Sequence, residues 1–270
     1  MFLNYSLRDA ERWAEFSGDY NPIHFDVAKA KQLGMDGLCV HGMRAMLDVK
    51  SVLSATLEKR ASASCGLVFS CRLREPVACG TPYQLSVGEI CRNEQVQVSG
   101  KLLNAHTQQI GMSSKLTSNH ALDLSPITQV KTLDGETLAA LYAPFLAVQS
   151  QAAPLWNFLD ALLFRQMVND PATLETVHSI IPQSEAASLS DVFSQVQVVQ
   201  THHETHFSPR LLNSCQERQR LESLDYWIQP TLVMGEKNSG LILLANIQAW
   251  SAGEPLMSVT VTLKASPLVG

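Results

Sequence analysis

The chain has 270 residues, of which 46% are hydrophobic and 17% charged, and its formal net charge is −5. This length allows two domains of about 130 residues, each able to bury a core. The acidic charge argues against nucleic acid or an anionic membrane as a partner, and no apolar run reaches the length of a transmembrane helix.

The cysteines and the N-terminal residues bear on the cellular compartment. Six cysteines without a Cys-x-x-Cys pair are typical of a chain that keeps its thiols reduced. The N-terminal residues acquire charges at Arg8, Asp9, Glu11 and Arg12 before an apolar stretch of signal-peptide length develops. We therefore expect a cytoplasmic protein.

The first predicted element is a capped helix over residues 6–15. It leads into a short segment that carries a carboxylate at Asp19, an amide at Asn21 and an imidazole at His24. On a helix or a strand, Asp19 and His24 would point in different directions. They converge only if the chain bends between them.

Gly18 and Pro22 predict that bend. Glycine tolerates positive φ, and proline pushes the residue before it toward extended geometry. A loop at these positions would bring Asp19 and His24 together, so that a carboxylate and an imidazole act on one substrate. A short helix over residues 27–33 is expected to follow.

A long apolar helix is predicted over residues 42–57. Apolar residues occupy nearly all of its faces, which indicates burial. The backbone amide of Gly42, at its start, is suited to bind a partly negative oxygen. Four strands are predicted next, over residues 67–73, 83–89, 95–103 and 109–116. One long helix followed by four antiparallel strands is an α+β order.

The same order recurs in a second half. Helices are predicted over residues 132–142 and 155–168, with Leu133 in the place of Leu7 and Pro154 in the first turn of the second helix. Strands are predicted over residues 192–206, 224–232, 241–250 and 256–263. The second copy is shorter between its helices and lacks the loop that carries Asp19 and His24.

The loop resembles a known family motif. Residues 17–24, Ser-Gly-Asp-Tyr-Asn-Pro-Ile-His, are followed after five positions by Ala30. This pattern is similar to the signature of the MaoC-like hydratases, also called hydratase 2 or (R)-specific enoyl-CoA hydratases, and residues 41–43 resemble the start of that family's helix. Trp13 stands where the family usually has Tyr or Phe, and Phe16 stands where an aliphatic residue is usual.

The resemblance implies an α+β fold of the double hot dog type. Two curved antiparallel sheets would each wrap around a long apolar helix and join into one continuous sheet. Residues 1–118 would form the catalytic MaoC-like half, residues 119–131 a linker, and residues 132–270 a second half without the motif. In two-copy members the half without the motif provides space for the acyl chain, which we expect near Trp156 and Phe158.

The resemblance also implies a reaction, the reversible hydration of an α,β-unsaturated acyl thioester, from enoyl-CoA to (3R)-3-hydroxyacyl-CoA. Asp19 and His24 would be the acid–base pair, and the Gly42 N–H would stabilise the thioester oxygen. Asn21 would orient the loop or a catalytic side chain. No cofactor and no metal is expected.

Two alternatives stay open at this point. The substrate could be carried by acyl carrier protein, as in fatty-acid or polyketide synthesis, rather than by CoA. An acidic carrier would favour a basic rim, for which Lys29, Lys31, Arg44 and Arg74 are candidates. The other alternative is a non-catalytic acyl-binding protein. The sequence also leaves open a homodimer of such chains.

A histidine-rich segment in the second half is a candidate metal site. On a strand, His202, Glu204 and His206 would share one face, as metal ligands can. No further carboxylate or cysteine stands at ligand spacing, so we expect a solvated strand face.

Overall fold

The computed structural model describes residues 1–32, 34–58, 66–92, 95–118, 121–125, 129–149, 153–212 and 221–266. The first half contains β1 (Phe2–Asn4), α1 (Leu7–Ser17), α2 (Val27–Gln32), β2 (Cys39–Val40), α3 (Gly42–Glu58), β3 (Leu67–Leu73), β4 (Val77–Ala78), β5 (Pro82–Arg92), β6 (Gln95–Asn104) and β7 (Ile110–Ser118). The second half contains β8 (Lys131–Asp134), α4 (Gly135–Val148), α5 (Leu155–Asn169), α6 (Pro171–Ile180), α7 (Leu189–Gln195), β9 (Val198–Phe207), β10 (Ser223–Ile228), β11 (Leu232–Glu236), β12 (Gly240–Ser251) and β13 (Glu254–Ala265).

One antiparallel sheet runs through both halves. Its strand order is β1-β5-β6-β7-β3-β9-β13-β12-β10-β8, with β11 paired to β12, while β2 and β4 form a separate pair. The halves join where β3 pairs with β9, with Phe69 opposite Thr205 and Cys71 opposite His203. Helix α3 packs on β6 and β7, and α5 packs on β12 and β13. The double hot dog fold is therefore confirmed.

The two central helices are buried on nearly all faces, because each lies between the sheet and the other helices. Trp156 of α5 is 0% exposed, stacks on Phe207 at 4.4 Å between ring centroids, and donates its indole N–H to Ser54 Oγ of α3 at 2.9 Å. Pro154 stands at the N-cap of α5, one position before its first turn. Among the helices that the structure describes, none is both long and apolar enough to span a bilayer.

The start of the second half differs from the prediction. Residues Lys131–Asp134 form strand β8, which pairs with β10, and the helix begins only at Gly135. Asp134 caps that helix by accepting a hydrogen bond from Thr137 N at 2.8 Å. Leu133 therefore corresponds to Leu3 of β1 and not to Leu7. A strand of four residues is too short to show a clear alternating pattern in the sequence. Its pairing partner is distant in the chain and is brought next to it only in the folded sheet.

Two further predicted strands were placed wrongly. The strand expected over residues 192–206 begins at Val198, because Ser188 and Asp191 form a capping box that starts helix α7 just before it. The strand expected over residues 224–232 is split into β10 and β11. Pro230 lies between these two strands, and proline cannot donate a hydrogen bond to the ladder.

Candidate active site

The loop between α1 and α3, residues 18–41, is long, whereas residues 149–154 alone connect α4 to α5. Gly18 ends α1 in the left-handed conformation, with φ of 79°. A Cβ at this position would collide with the side chain of Asn169, which donates a hydrogen bond to Ser17 O at 2.7 Å. Both the conformation and the close packing therefore require glycine where the chain turns toward Asp19.

Asn21 holds the loop in place. Its Oδ1 accepts a hydrogen bond from Ile23 N at 3.3 Å and so caps the 3-10 turn Pro22–His24. Its Nδ2 donates to Val198 O of β9 at 3.2 Å, and its backbone N–H donates to Asp19 Oδ1 at 3.3 Å. Asn21 thus ties the loop to the second half and orients the carboxylate.

His24 is oriented by the backbone and by a second histidine. Its Nδ1 donates to Cys39 O at 3.0 Å, which leaves Nε2 of the neutral ring as an acceptor. The ring lies against that of His41, with centroids 3.6 Å apart. His41 in turn donates Nε2 to Asp19 O at 2.9 Å. His41, which sequence reasoning noted only as part of the helix start, therefore supports both Asp19 and His24.

The carboxylate and the imidazole come close together, as the loop prediction required. One ligand atom from each of Asp19, His24 and His41 lies within 4.8 Å of the others. Two hydrogen bonds of about 2.8 Å each span such a separation, so one water can bridge Asp19 and His24.

Among the described residues, these three side chains also form a group that could offer three ligands to a metal ion. However, His24 and His41 lie face to face, with 32° between their planes. Their lone pairs therefore run along neighbouring planes and do not point to one centre, as tetrahedral coordination requires. The arrangement suits acid–base chemistry better.

Burial shifts the pKa values of Asp19, His24 and His41. It lowers the pKa of His24 to about 3, helped by His41 and opposed by Asp19. It also lowers the pKa of His41 to about 3, against the effect of the Asp19 carbonyl. Burial raises the pKa of Asp19, while His24 and the Asn21 N–H oppose the rise. Both rings are therefore neutral at pH 7, and the Asp19 carboxyl holds its proton more firmly than an exposed one does.

Gly42 is the first residue of α3, where backbone amides have no helical acceptor. A Cβ here would collide with Leu73 of β3. Glycine therefore allows β3 to pack against the helix start. The amide, at the positive end of the helix dipole, lies beside the cavity that holds Asp19 and His24.

A cavity of about 410 Å³ contains all four residues predicted from the sequence, Asp19, Asn21, His24 and Gly42. Its remaining walls are largely apolar and come from both halves. The second half contributes the last turns of α5, helix α7 and strand β13, with Phe164, Met167, Val168, Leu189, Phe193 and Leu263. The cavity thus extends from the Asp–His pair into the second half.

The tail-binding residues named from the sequence were wrong. Trp156 and Phe158 lie in the first turns of α5 and are not among the residues that line this cavity. Phe158 packs on Tyr142 instead, at 5.0 Å between ring centroids. Trp13 is also a core residue, and it packs on Phe164, which does line the cavity. The apolar sequence of a helix predicts that it is buried, but it does not show which end of the helix borders a cavity.

The four basic residues proposed for the rim lie in different environments. Arg44 is buried and pairs with Asp48 at 2.7 Å and Asp9 at 3.0 Å, so its assignment to the rim was wrong. Lys29 donates to a backbone carbonyl of α7, and Lys31 is exposed.

Arg74 lines the cavity that holds Asp19 and His24 and also borders a second cavity of about 570 Å³. Arg72 and His202 line that second cavity as well. All three side chains are exposed. They form a surface beside the cavity on which the two arginines outnumber the exposed Glu75, and we name it the Arg72–Arg74–His202 surface.

Strand β9 has two different faces. His202 and Glu204 are exposed, as expected for a solvated face, whereas His206 is half-buried. The buried His203 and Thr205, which the sequence did not single out, contact Asp160 of α5. No local pattern could have predicted this contact, because Asp160 lies more than forty positions away.

The structure thus defines a double hot dog protein whose first half brings Asp19 and His24 together in one cavity. Residues 3–108 match the family model of the MaoC-like domain. The mitochondrial 3-hydroxyacyl-(acyl-carrier-protein) dehydratase of Arabidopsis thaliana is 29% identical over 119 residues, which cover 42% of this chain and 69% of that protein. The first half of the chain is therefore similar to the MaoC-like dehydratases.

Two solved structures share this fold over most or all of the chain. The tesB protein of Mycobacterium avium subsp. paratuberculosis has a TM-score of 0.50 at 12% identity, covering 85% of this chain and 88% of that one. A protein of Lactobacillus plantarum, provisionally described as an oleoyl thioesterase, has a TM-score of 0.50 at 8% identity, covering 100% of this chain and 96% of that one. Since one fold carries different descriptions, the activity has to be argued from the site.

Proposed function

We propose that the protein is a hydro-lyase that interconverts an α,β-unsaturated acyl thioester and its (3R)-3-hydroxyacyl form. The observation that carries this proposal is the pairing of Asp19, whose pKa is raised, with neutral His24 in the cavity. An apolar cavity with a few convergent polar groups suits an acyl chain that reacts near its thioester end.

In the dehydration direction, His24 Nε2 takes a proton from Cα, and negative charge moves onto the thioester oxygen. The Gly42 N–H stabilises that oxygen. The Asp19 carboxyl protonates the β-hydroxyl, whose C–O bond breaks, so that a C=C bond and water form. The water then passes the proton from His24 to Asp19, which restores the starting state. Hydration follows the same steps in reverse.

Both groups act from one wall of the cavity, so hydrogen and hydroxyl are added to the same face of the double bond. The (3R) configuration rests on the family resemblance. For the domains, we propose a catalytic half at residues 1–118, a connector at 119–131 and an acyl-binding half at 132–270. Strand β7 ends at Ser118, and β8 already begins at Lys131.

The carrier is part of the proposal. CoA and acyl carrier protein both present anionic groups, and the Arg72–Arg74–His202 surface beside the cavity suits either one. The name of the Arabidopsis relative favours acyl carrier protein for that relative. We propose a cytoplasmic location, supported by the free thiols of Cys39, Cys71 and Cys79. A homodimer is a further proposal, which light scattering would test.

The deciding experiment is turnover of the purified chain with crotonyl-CoA, a long-chain enoyl-CoA and the matching enoyl-carrier-protein. We expect loss of the enoyl thioester absorbance, a (3R) product on chiral analysis, no release of free thiol, and no effect of a chelator. The Asp19→Asn variant is the control for background reaction.

Three outcomes would contradict the proposal. A bound but unchanged thioester on every carrier would indicate an acyl-binding protein. Release of free thiol would indicate a thioesterase. A mainly (3S) product would contradict the stereochemistry that the family resemblance implies.

A further inference from the structure

A second buried polar network lies where the two halves meet. Lys50 of α3 forms an ion pair with Asp160 of α5. His203 Nε2 is 2.8 Å from Asp160 Oδ1, and Thr205 Oγ1 donates to the same oxygen at 2.5 Å. These four side chains are at most 1% exposed. Buried ion pairs often stabilise a fold no better than apolar side chains of the same volume, so a second role for the network has to be considered.

The network fixes the state of His203. Burial alone would raise the pKa of Asp160, but His203 and Lys50 lower it, so the carboxylate is ionised. Burial lowers the pKa of His203 against the attraction of Asp160, so the ring is neutral at pH 7. Since Nε2 donates to the carboxylate, Nδ1 must be an acceptor.

That acceptor holds the side chain of Gln200. Gln200 Nε2 lies 3.2 Å from His203 Nδ1 and donates to it. The amide orientation follows from this partner, because Nδ1 needs a donor. Residues three apart on a regular strand point to opposite faces. Strand β9 has a bulge here, since His202 pairs with Thr262 while Gln200 pairs with Leu263. Bulges of this kind re-aim side chains.

The Gln200 amide borders the start of α3. Gln200 lines the catalytic cavity, and its Oε1 is 3.7 Å from the position that a Cβ of Gly42 would take. The amide nitrogen also lies 3.7 Å from Met43 Sδ, which is only a weak acceptor. One amide hydrogen is therefore committed to His203, and the other is available to a better acceptor near the Gly42 N–H.

We propose that Gln200 is a second donor to the thioester carbonyl oxygen, beside the Gly42 N–H, and that His203, Asp160 and Lys50 position it. This inference rests on the proposed function. When substrate binds, the carbonyl oxygen replaces Met43 Sδ as the acceptor of the second amide hydrogen, and this hydrogen bond strengthens as negative charge develops on the oxygen. The second half then contributes a catalytic residue as well as space for the acyl chain.

The first test is the Gln200→Leu variant, which keeps the approximate volume and removes the donor. We expect kcat for crotonyl-CoA to fall by about 100-fold, as for loss of one oxyanion donor, while KM changes by less than about threefold. The matched control is Gln84→Leu, which makes the same change at an exposed glutamine of strand β5 that lines neither cavity. A Gln200→Leu enzyme with kcat within about twofold of the wild type would overturn the proposal.

The second test reads the hydrogen bond directly and does not need turnover. In the Asp19→Asn background, infrared difference spectra would report the carbonyl stretch of bound enoyl thioester. Relative to the free thioester, we expect the carbonyl stretch of the bound thioester to lie at lower frequency. This shift should be smaller when Gln200→Leu is added. An unchanged stretch overturns the role of Gln200. A wild-type enzyme without turnover on any carrier would overturn the proposed function instead, and the stretch would still test Gln200.

The third test separates positioning from folding. His203→Leu should lower kcat as much as Gln200→Leu does, and the double variant should be little worse than either single variant. His203→Gln, which can both accept from Gln200 and donate to Asp160, should restore most of kcat. If His203→Leu does not fold, His203→Gln and Gln200→Leu still decide the matter. A His203→Gln enzyme as impaired as Gln200→Leu would contradict the positioning role.

Discussion

The two histidines of the loop, His24 and His41, differ in their hydrogen bonds. His24 presents Nε2 to the cavity because its Nδ1 bonds Cys39 O. His41 uses its Nε2 to hold the Asp19 backbone. Its Nδ1 is buried and has no hydrogen-bond partner among the described residues. Only His24 is therefore assigned to proton transfer with Asp19.

The proposed acid–base pair, Asp19 and His24, leads to a prediction for two variants. Asp19→Asn and His24→Gln should each lower kcat by at least about 100-fold, because each removes one of the two proton transfers. The double variant should be little worse than either single variant, since both groups act in one transition state. Steady-state kinetics with crotonyl-CoA checks this.

The matched control for the pair is Asp36→Asn, an exposed carboxylate of the same loop. Thermal unfolding should be measured for all variants, so that loss of activity is not confused with loss of the fold. Near-normal kcat in either single variant would refute the assignment.

At the scale of elements, helix α5 serves two purposes along its length. Its first turns, with Trp156 and Phe158, pack in the core. Its last turns, with Phe164, Met167 and Val168, form one wall of the cavity. Helix α7 adds Phe193 to that wall. The end of α5 and helix α7 should therefore set the length of acyl chain that fits.

Chain-length preference can be shifted at these positions. Phe193→Trp should fill part of the cavity and lower kcat/KM for a long-chain enoyl-CoA by about tenfold relative to crotonyl-CoA, as small volume changes in apolar pockets do. Met167→Ala should shift the ratio the other way. The ratio of the two kcat/KM values is the measurement.

Phe158→Leu is the control for chain length, because it changes the volume of a core residue that does not line the cavity. It should lower stability and leave the ratio unchanged. If Phe158→Leu shifted the ratio as much as Phe193→Trp, the cavity would not be the acyl site.

For the whole molecule, the sheet and the buried polar groups join the two halves into one unit. The β3–β9 pair makes the sheet continuous, and the Lys50–Asp160 ion pair joins the central helices beneath it. Asn21 also ties the loop that carries Asp19 and His24 to β9. Protonation of a buried group in one half should therefore affect the stability of both.

Acid should destabilise the protein through its buried histidines. His24 and His41 have pKa values lowered from 6.5 to about 3, so the unfolded chain binds protons that the folded chain does not. Stability is thus fully present above pH 6.5 and falls as the pH decreases toward 3. Each histidine contributes a slope of up to about 1.4 kcal/mol per pH unit.

Urea unfolding at several pH values measures this slope. His41→Gln should reduce the slope, whereas His106→Gln, at an exposed turn, should not. Equal slopes in both variants and the wild type would show that buried His41 does not stay neutral in the fold.

The local sequence alone determined much of this protein. The capping box at Ser6 and Asp9 predicts α1, and the strand β3 lies where apolar alternation predicted it. Glycine and proline in the loop, together with a carboxylate and an imidazole, predicted a bend that brings Asp19 and His24 together. These features depend on turn chemistry and periodicity, which act over a few residues.

Only the tertiary structure decided which distant groups share the site. Arg44 is drawn into buried ion pairs, Trp156 is packed away from the cavity, and Gln200 reaches the start of α3 although 157 positions separate it from Met43. Such contacts depend on how β3 pairs with β9 and on the bulge in β9. A shift of one residue in strand pairing would turn every side chain of β9 to the other face. These contacts therefore depend on the register between distant strands, which no local sequence pattern encodes.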